Sequence, residues 1–239
     1  MSADIKAAVS APLSESPNFS NTEEASGIIA CNLSARPTHS AELWGFSLCD
    51  ELPKQLTSDG VEAVACAYEC IREFVVEHFA MFSEEGLGST PNPSAQKSKQ
   101  AYLSRECDLI GLRHAEKLVG IMVGAPEDWS SYYVRVFALV PEYQRAGLTR
   151  RFVRECLFEP LARNGVERVV ADTNPTNIAM TRLFSELGFF VTGNQLTDRW
   201  GPLIRYTKFL DPACEQLFHQ RFGGSAPRRK RRNTEEEVP

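Results

Sequence analysis

The chain has 239 residues, 43% hydrophobic and 24% charged, with a formal net charge of −5, the balance of a soluble globular protein with one substantial core. The mild acidity argues against general nucleic-acid or anionic-membrane binding, and no apolar run approaches the ~20 residues a membrane helix needs. Seven scattered cysteines, odd in number and without an export signal, point to reduced thiols and a cytoplasmic setting, and none has metal-ligand spacing.

Residues 1–40, rich in Ser, Ala, Pro, Asn and Thr, read as a disordered tail. Ala41 to Cys49 offers a first strand. Ser58-Asp59 is a candidate helix cap, and Val61, Val64, Ala65, Tyr68, Ile71, Val75, Phe79 and Phe82 recur at three- and four-residue steps. That periodicity predicts one long amphipathic helix, carrying Cys66 and Cys70. Glu85 to Lys99 reads as a loop. Asp108 to Arg113 and Leu118 to Gly124 form a hairpin about a polar turn, His114 to Lys117, and Tyr132 to Val140 is a longer strand. A helix follows from Gly147 to Asn164, with Leu148, Phe152, Cys156 and Leu157 on one face and Pro160 expected to kink or stop it. Val166 to Ala171 is a strand. Asn174-Pro175 opens a helix that Gly188 ends, and Phe189 to Gly193 and Leu203 to Phe209 are the last strands. Residues 213–239 form a tail with a basic run, Arg228 to Arg232, before Glu235 to Glu237. The chain thus divides into 1–40, a domain over 41–212 with its core at 108–210, and 213–239.

The segment Gln144-Arg-Ala-Gly-Leu-Thr149 lies between a buried strand and a helix. A helix that starts from such a glycine-containing turn leaves several backbone N–H groups free, and with the helix dipole they suit a phosphate. Gln144, Gly147 and Thr149 resemble the phosphate-loop pattern of the GCN5-related N-acetyltransferase (GNAT) superfamily, with Thr149 in place of its Gly or Ala. Asn177, Ala179, Phe184, Gly188 and Phe189 resemble its second segment, with Ala179 one residue early. The resemblance covers Asp108 to Leu210. It implies an α/β fold with a mixed, mostly antiparallel central sheet, splayed at the acyl-CoA site, and helices on both faces.

The same resemblance implies the chemistry. Leu139 and Val140 would bond the pantetheine arm of acetyl-CoA, and the N–H groups of Arg145, Ala146, Gly147, Leu148 and Thr149 its pyrophosphate. Arg145, Arg150, Arg151 and Arg154 would add positive charge, Asn177 would touch the cofactor arm, and the N–H of Val140 would serve the oxyanion. Relatives often supply a proton from a tyrosine where this chain has Phe184, leaving Ser185 and Tyr143 as the nearest hydroxyls. Candidate bases are Asp172, Tyr133, and Glu127 or Asp128, with His114 and His78 expected to face solvent. Transfer of an acetyl group to an unidentified primary amine, without a metal, is the leading expectation. A weak acyl-CoA-binding regulatory module and a toxin-like transferase acting on aminoacyl-tRNA stand as alternatives. A homodimer is possible. The acceptor side would include Asp198 to Gly201, with Trp200.

Overall fold

Three consecutive largely apolar runs build the centre of the molecule: β3 (Asp108–His114), β4 (Lys117–Pro126) and β5 (Ser131–Leu139). A computed structural model describes residues 39–79, 92–197 and 200–222. The sheet adds β1 (Lys54–Gln55), β2 (Glu62–Ala65), β6 (Arg168–Thr173), β7 (Phe190–Thr197) and β8 (Gly201–Phe209). Its eight strands run in the order β1-β2-β3-β4-β5-β6-β8-β7. Every neighbouring pair is antiparallel except β5 and β6. The β3–β4 turn is tight because Ala115 and Glu116 both take positive φ, 46° and 66°, as a two-residue hairpin requires.

The N-terminal part differs from the expectation. Residues 41–49 hold no strand. They carry helix α1 (His39–Trp44) and a 3-10 turn, Leu48–Glu51, capped by Ser47. The expected long helix is a β1–β2 hairpin followed by α2 (Tyr68–His78). Val61, Val64 and Ala65 are apolar because β2 lies beside β3 with Val64 opposite Gly111, not because they share a helical face. A short buried strand and one turn of helix give the same apolar run, so period alone does not separate them. Cys66 lies beyond β2, its N–H on the carbonyl of Leu109, 2.8 Å away, and only Cys70 is helical. Residues 93–99 are not loop. They open helix α3 (Pro93–Glu106), where the Asn92 side chain accepts from the N–H groups of Ser94 and Ala95 and proline occupies the first turn. Phe82, residues 85–91, residues 1–38 and the charged run at 228–237 lie outside the described residues. Residues 212–222, most of them assigned above to the tail, form helix α6 (Pro212–Phe222).

The helix after β5, here α4, is continuous through Pro160. It comprises an α segment, Leu148–Phe152, a π segment, Val153–Phe158, and a second α segment, Glu159–Arg163. The π register resolves the proline problem. Glu159 N–H reaches back five residues to the Arg154 carbonyl. The next five-residue bond would need an N–H on Pro160, which has none. The acceptor left over is the Glu155 carbonyl, and Lys54 Nζ donates to it at 2.6 Å. Leu148, Phe152, Cys156 and Leu157 are buried on one face as expected. Helix α5 (Ile178–Leu187) starts three residues later than Asn174-Pro175 suggests, because Asn177 is the cap, accepting from Met180 N–H at 3.2 Å. Asn174 instead closes the preceding turn onto Thr176. Gly188 ends α5 at φ 78°.

One buried polar cluster ties α1 to the sheet. Asp108, fully buried, accepts hydrogen bonds from the hydroxyls of Ser40 (2.9 Å), Ser47 (2.7 Å) and Tyr132 (2.9 Å). Asp108→Ala leaves three buried hydroxyls without their acceptor. The expected cost is ~3–5 kcal/mol, read as a fall in Tm of ~10 °C. A shift below 2 °C would show that the cluster relaxes onto water.

Candidate functional site

Strands β5 and β6 start side by side and then separate. Only Ser131 to Val134 pair with Arg168 to Ala171. Beyond them β5 continues to Leu139 paired with β4 alone. The divergence begins where β5 has an irregularity. The register passes from Val123↔Val136 to Gly124↔Val134, so Arg135 is the extra residue of a β-bulge.

The direction of each free backbone group follows from one bond. Val140 N–H donates to the Val119 carbonyl at 3.0 Å. Antiparallel strands alternate the sides to which successive N–H groups point. From Val136 to Val140 the register is unbroken, so Phe137 and Leu139 direct theirs into the gap beside β6. The expectation that Val140 N–H meets an oxyanion is therefore corrected: that donor is consumed inside the sheet. The error came from assigning strand ends without the ladder parity, which a sequence does not display.

At the end of β5 the chain enters a 3-10 turn, Pro141–Tyr143, and then the glycine turn. Gln144 does not point outward to a phosphate. Its Nε2 donates to the Leu139 carbonyl at 2.8 Å, folding the turn back onto the strand end. Arg145 and Gly147 take left-handed φ values of 64° and 77°. Arg151 N–H is the first to find a helical acceptor, the Gly147 carbonyl. Among the described residues the N–H groups from Arg145 to Arg150 make no close hydrogen bond to a protein acceptor; for the four from Gly147 to Arg150 this is what a helix start entails. A hairpin tip braces this turn: Tyr143 OH lies 2.6 Å from His114 Nδ1, and His114 Nε2 lies 3.0 Å from the Asp59 carbonyl. A carbonyl can only accept, so Nε2 carries the proton and Tyr143 donates to Nδ1. His114 is thus committed to positioning the turn.

The arginines divide. Arg150 pairs with Glu186 of α5, and Arg151 with the Leu56 carbonyl and Glu155. Arg145 and Arg154 are exposed and make no ion pair among the described residues. Asn177 is exposed with its oxygen used as the helix cap, leaving its amide NH2 outward. Phe184 is buried, its ring 4.9 Å from that of Phe189 and 4.8 Å from that of Tyr206. It is a core residue and has no proton to give.

Asp172 and Tyr133 meet. The Asp172 side chain is 2% exposed and holds Arg205 by two contacts of 3.1 Å, through Nε and Nη2. It also accepts from Gln195 Nε2 at 2.9 Å, and it lies close enough to Tyr133 for its charge to act on the phenol. Arg205 extends to Glu127 at 2.8 Å. Burial, then the charge of Asp172, pushes the Tyr133 phenol up to about 12, so it is protonated at neutral pH and is no base on its own. Asp172, bound on all sides, is the anchor of this cluster. Asp128 closes the β4–β5 turn onto Ser130 and Ser131. His78, at the end of α2, is exposed as expected, 3.7 Å from Glu77 and with its ring against Phe74. Trp200 is 38% exposed and bonds through its N–H to Thr197, while Asp198 lies outside the described residues. Burial holds the thiols of Cys49 and Cys107 up to about 12 and Cys156 to about 11, in keeping with inert core cysteines. Among the described residues no group of three His, Cys, Asp or Glu could hold a metal, and no helix is long and apolar enough to cross a membrane.

The separation of β5 from β6 beside a helix start thus leaves a gap with free backbone donors along one strand and at its end. Residues 73–189 match the family model "Acetyltransferase (GNAT) family", and the chain carries a domain of that family. No curated protein sequence matches the chain. Among solved structures it is similar to a putative GNAT acetyltransferase from Desulfovibrio desulfuricans (17% identity, 64% of this chain and 100% of that one, TM-score 0.51). It is also similar to the ribosomal-protein-S5-alanine acetyltransferase of Vibrio fischeri (15% identity, 68% and 98%, TM-score 0.52) and a putative acetyltransferase from Acinetobacter baylyi (18% identity, 65% and 96%, TM-score 0.51). At these identities the likeness is one of fold.

Proposed function

We propose that the protein is an acetyl-CoA-dependent N-acetyltransferase that acts by direct attack of an amine in a ternary complex. The observation that carries this reading is the meeting of six unpaired N–H groups, Arg145 to Arg150, with the gap between β5 and β6. The N–H groups would hold the pyrophosphate, and Leu139 and Phe137 would bond the pantetheine arm as an added strand. Leu139 contributes its N–H, since Gln144 occupies its carbonyl. Phe137 N–H, two residues deeper, is the group placed to stabilise the thioester oxygen as it gains charge. The Asn177 amide, at the start of α5, would touch the cofactor arm.

Proton handling then falls to the Tyr133–Asp172 pair. A protonated phenol that donates to a carboxylate can take an amine proton, directly or through one water, while passing its own to Asp172. Arg205 and Gln195 fix the carboxylate for this relay. With Phe184 unable to donate, the thiolate departs without help from that position.

Two measurements test the reading. Saturation at one hundred times Kd with acetyl-CoA should stabilise the protein by ~2.7 kcal/mol, a rise in Tm of ~5–10 °C. An amine panel should then release free thiol. No stabilisation and no thiol release would reject the proposal, and stabilisation without release would favour the regulatory acyl-CoA-binding module.

Tyr133→Phe is expected to lower kcat by ~100-fold, the low end of the usual worth of a positioned acid–base group, with the Kd for acetyl-CoA unchanged. Because the phenol keeps its proton up to about 12, the wild-type rate should show no descending limb from this group below pH 10. The stability owed to the raised phenol is complete below the unfolded value near 10 and is lost as pH rises towards 12. Tyr133→Phe should therefore flatten the alkaline fall in Tm, and an unchanged fall would show that other groups cause it.

A further inference from the structure

Arg135 is the cation that this face of the sheet leaves without a carboxylate. As the extra residue of the β5 bulge it is exposed, directly before the gap in which Phe137 N–H lies. Its guanidinium sits 5.5 Å from the ring centre of Tyr102 on α3 and 5.9 Å from that of Tyr133. One Nη2 proton goes to the Tyr102 hydroxyl at 3.3 Å. An arginine has five donors in a planar fork, so most remain unused, and the two rings hold that plane in place. The nearby carboxylates are spoken for: Glu127 and Asp172 both bind Arg205. Among the described residues Arg135 has no acidic partner.

We infer, resting on the acetyltransferase reading, that Arg135 recognises the acceptor by a carboxylate, so that the amine acetylated belongs to an amino acid or a similar carboxylate-bearing amine. Arginine suits such a group because its fork matches both carboxylate oxygens at once. Arg135 and Phe137 are two strand residues apart, ~7 Å, which lets a small molecule hold its carboxylate at Arg135 and its amine near the thioester. The cation also disfavours a nearby ammonium, which lowers the amine pKa towards the neutral, nucleophilic form. A polyamine would meet a free cation here and no free carboxylate.

The test is a matched panel: L-amino acids, their carboxamides, the corresponding decarboxylated amines and spermidine, compared as kcat/KM per unprotonated amine. The wild type should favour carboxylate acceptors by ~10–100-fold, the worth of a charge-assisted pair. In Arg135→Gln the ratio should collapse towards one through KM, and Arg135→Lys, which keeps the charge without the fork, should fall between. The Kd for acetyl-CoA, measured on each variant, reports that the fold and donor site persist. Equal use of amides or spermidine by the wild type, or an unchanged ratio in Arg135→Gln, would overturn this inference alone. Absence of both acetyl-CoA binding and turnover would overturn the acetyltransferase reading and this inference with it.

Discussion

Gly147→Val is expected to raise the Kd for acetyl-CoA ~100-fold, equivalent to ~2.7 kcal/mol, while the protein stays folded. Gly147 sits at φ 77° immediately before Leu148, and a Cβ there would meet no atom within 4 Å. The penalty is thus conformational, not a clash. A β-branched residue is a genuine outlier in the left-handed region, so the turn would shift to relieve it and re-aim the N–H groups of Arg145 to Arg150. The stability cost is held to a few °C of Tm because the turn is exposed and Gln144 and Tyr143 still pin it. Isothermal titration of the variant decides the matter, and a Kd within threefold of wild type would show that the turn does not hold the donor.

Asp172→Ala is expected to lower kcat by ~100–1000-fold with donor affinity unchanged. The substitution removes the carboxylate proposed to take the proton of Tyr133 and both 3.1 Å contacts to Arg205. Arg205 keeps Glu127 but loses the partner that sets its plane. The relay and the positioning of Tyr133 fail together, so the Tyr133→Phe, Asp172→Ala double variant should be no slower than Asp172→Ala by more than about threefold. Neighbours acting as one unit are non-additive in this way. Additive losses in kcat would show that the two residues act separately. Retention of at least a third of the wild-type rate by Asp172→Ala would remove the cluster from the chemistry.

Much of the frame was legible in the sequence because strand and turn chemistry there is local. The β3–β4 hairpin, the Tyr132 strand, the buried face of α4 and the Gly188 stop each follow from a few adjacent residues. The two segments that carry the family resemblance, Gln144 to Thr149 and Asn177 to Phe189, are likewise contiguous. What failed depended on distant partners. Glu62 to Ala65 became a strand only because β3 offers an edge. Pro160 was absorbed by a π turn that needs Lys54, more than one hundred residues earlier, to satisfy the Glu155 carbonyl. The site showed the same division. That Asp172 binds Arg205, and that Val140 spends its N–H on Val119, are facts of strand pairing that no single segment encodes. The place of Arg135 at a bulge was invisible because a bulge is a mismatch between two strands, and only their register reveals it.

In the proposed complex acetyl-CoA lies along β5 and against the turn at its end. Amide hydrogen exchange on the full chain, with and without acetyl-CoA, tests it residue by residue. Acetyl-CoA should slow exchange at Phe137, Leu139 and Arg145 to Arg150, while Val140, already bonded to Val119, should be protected in both states. Slowing confined to other amides, or none at all at saturating acetyl-CoA, would contradict the account.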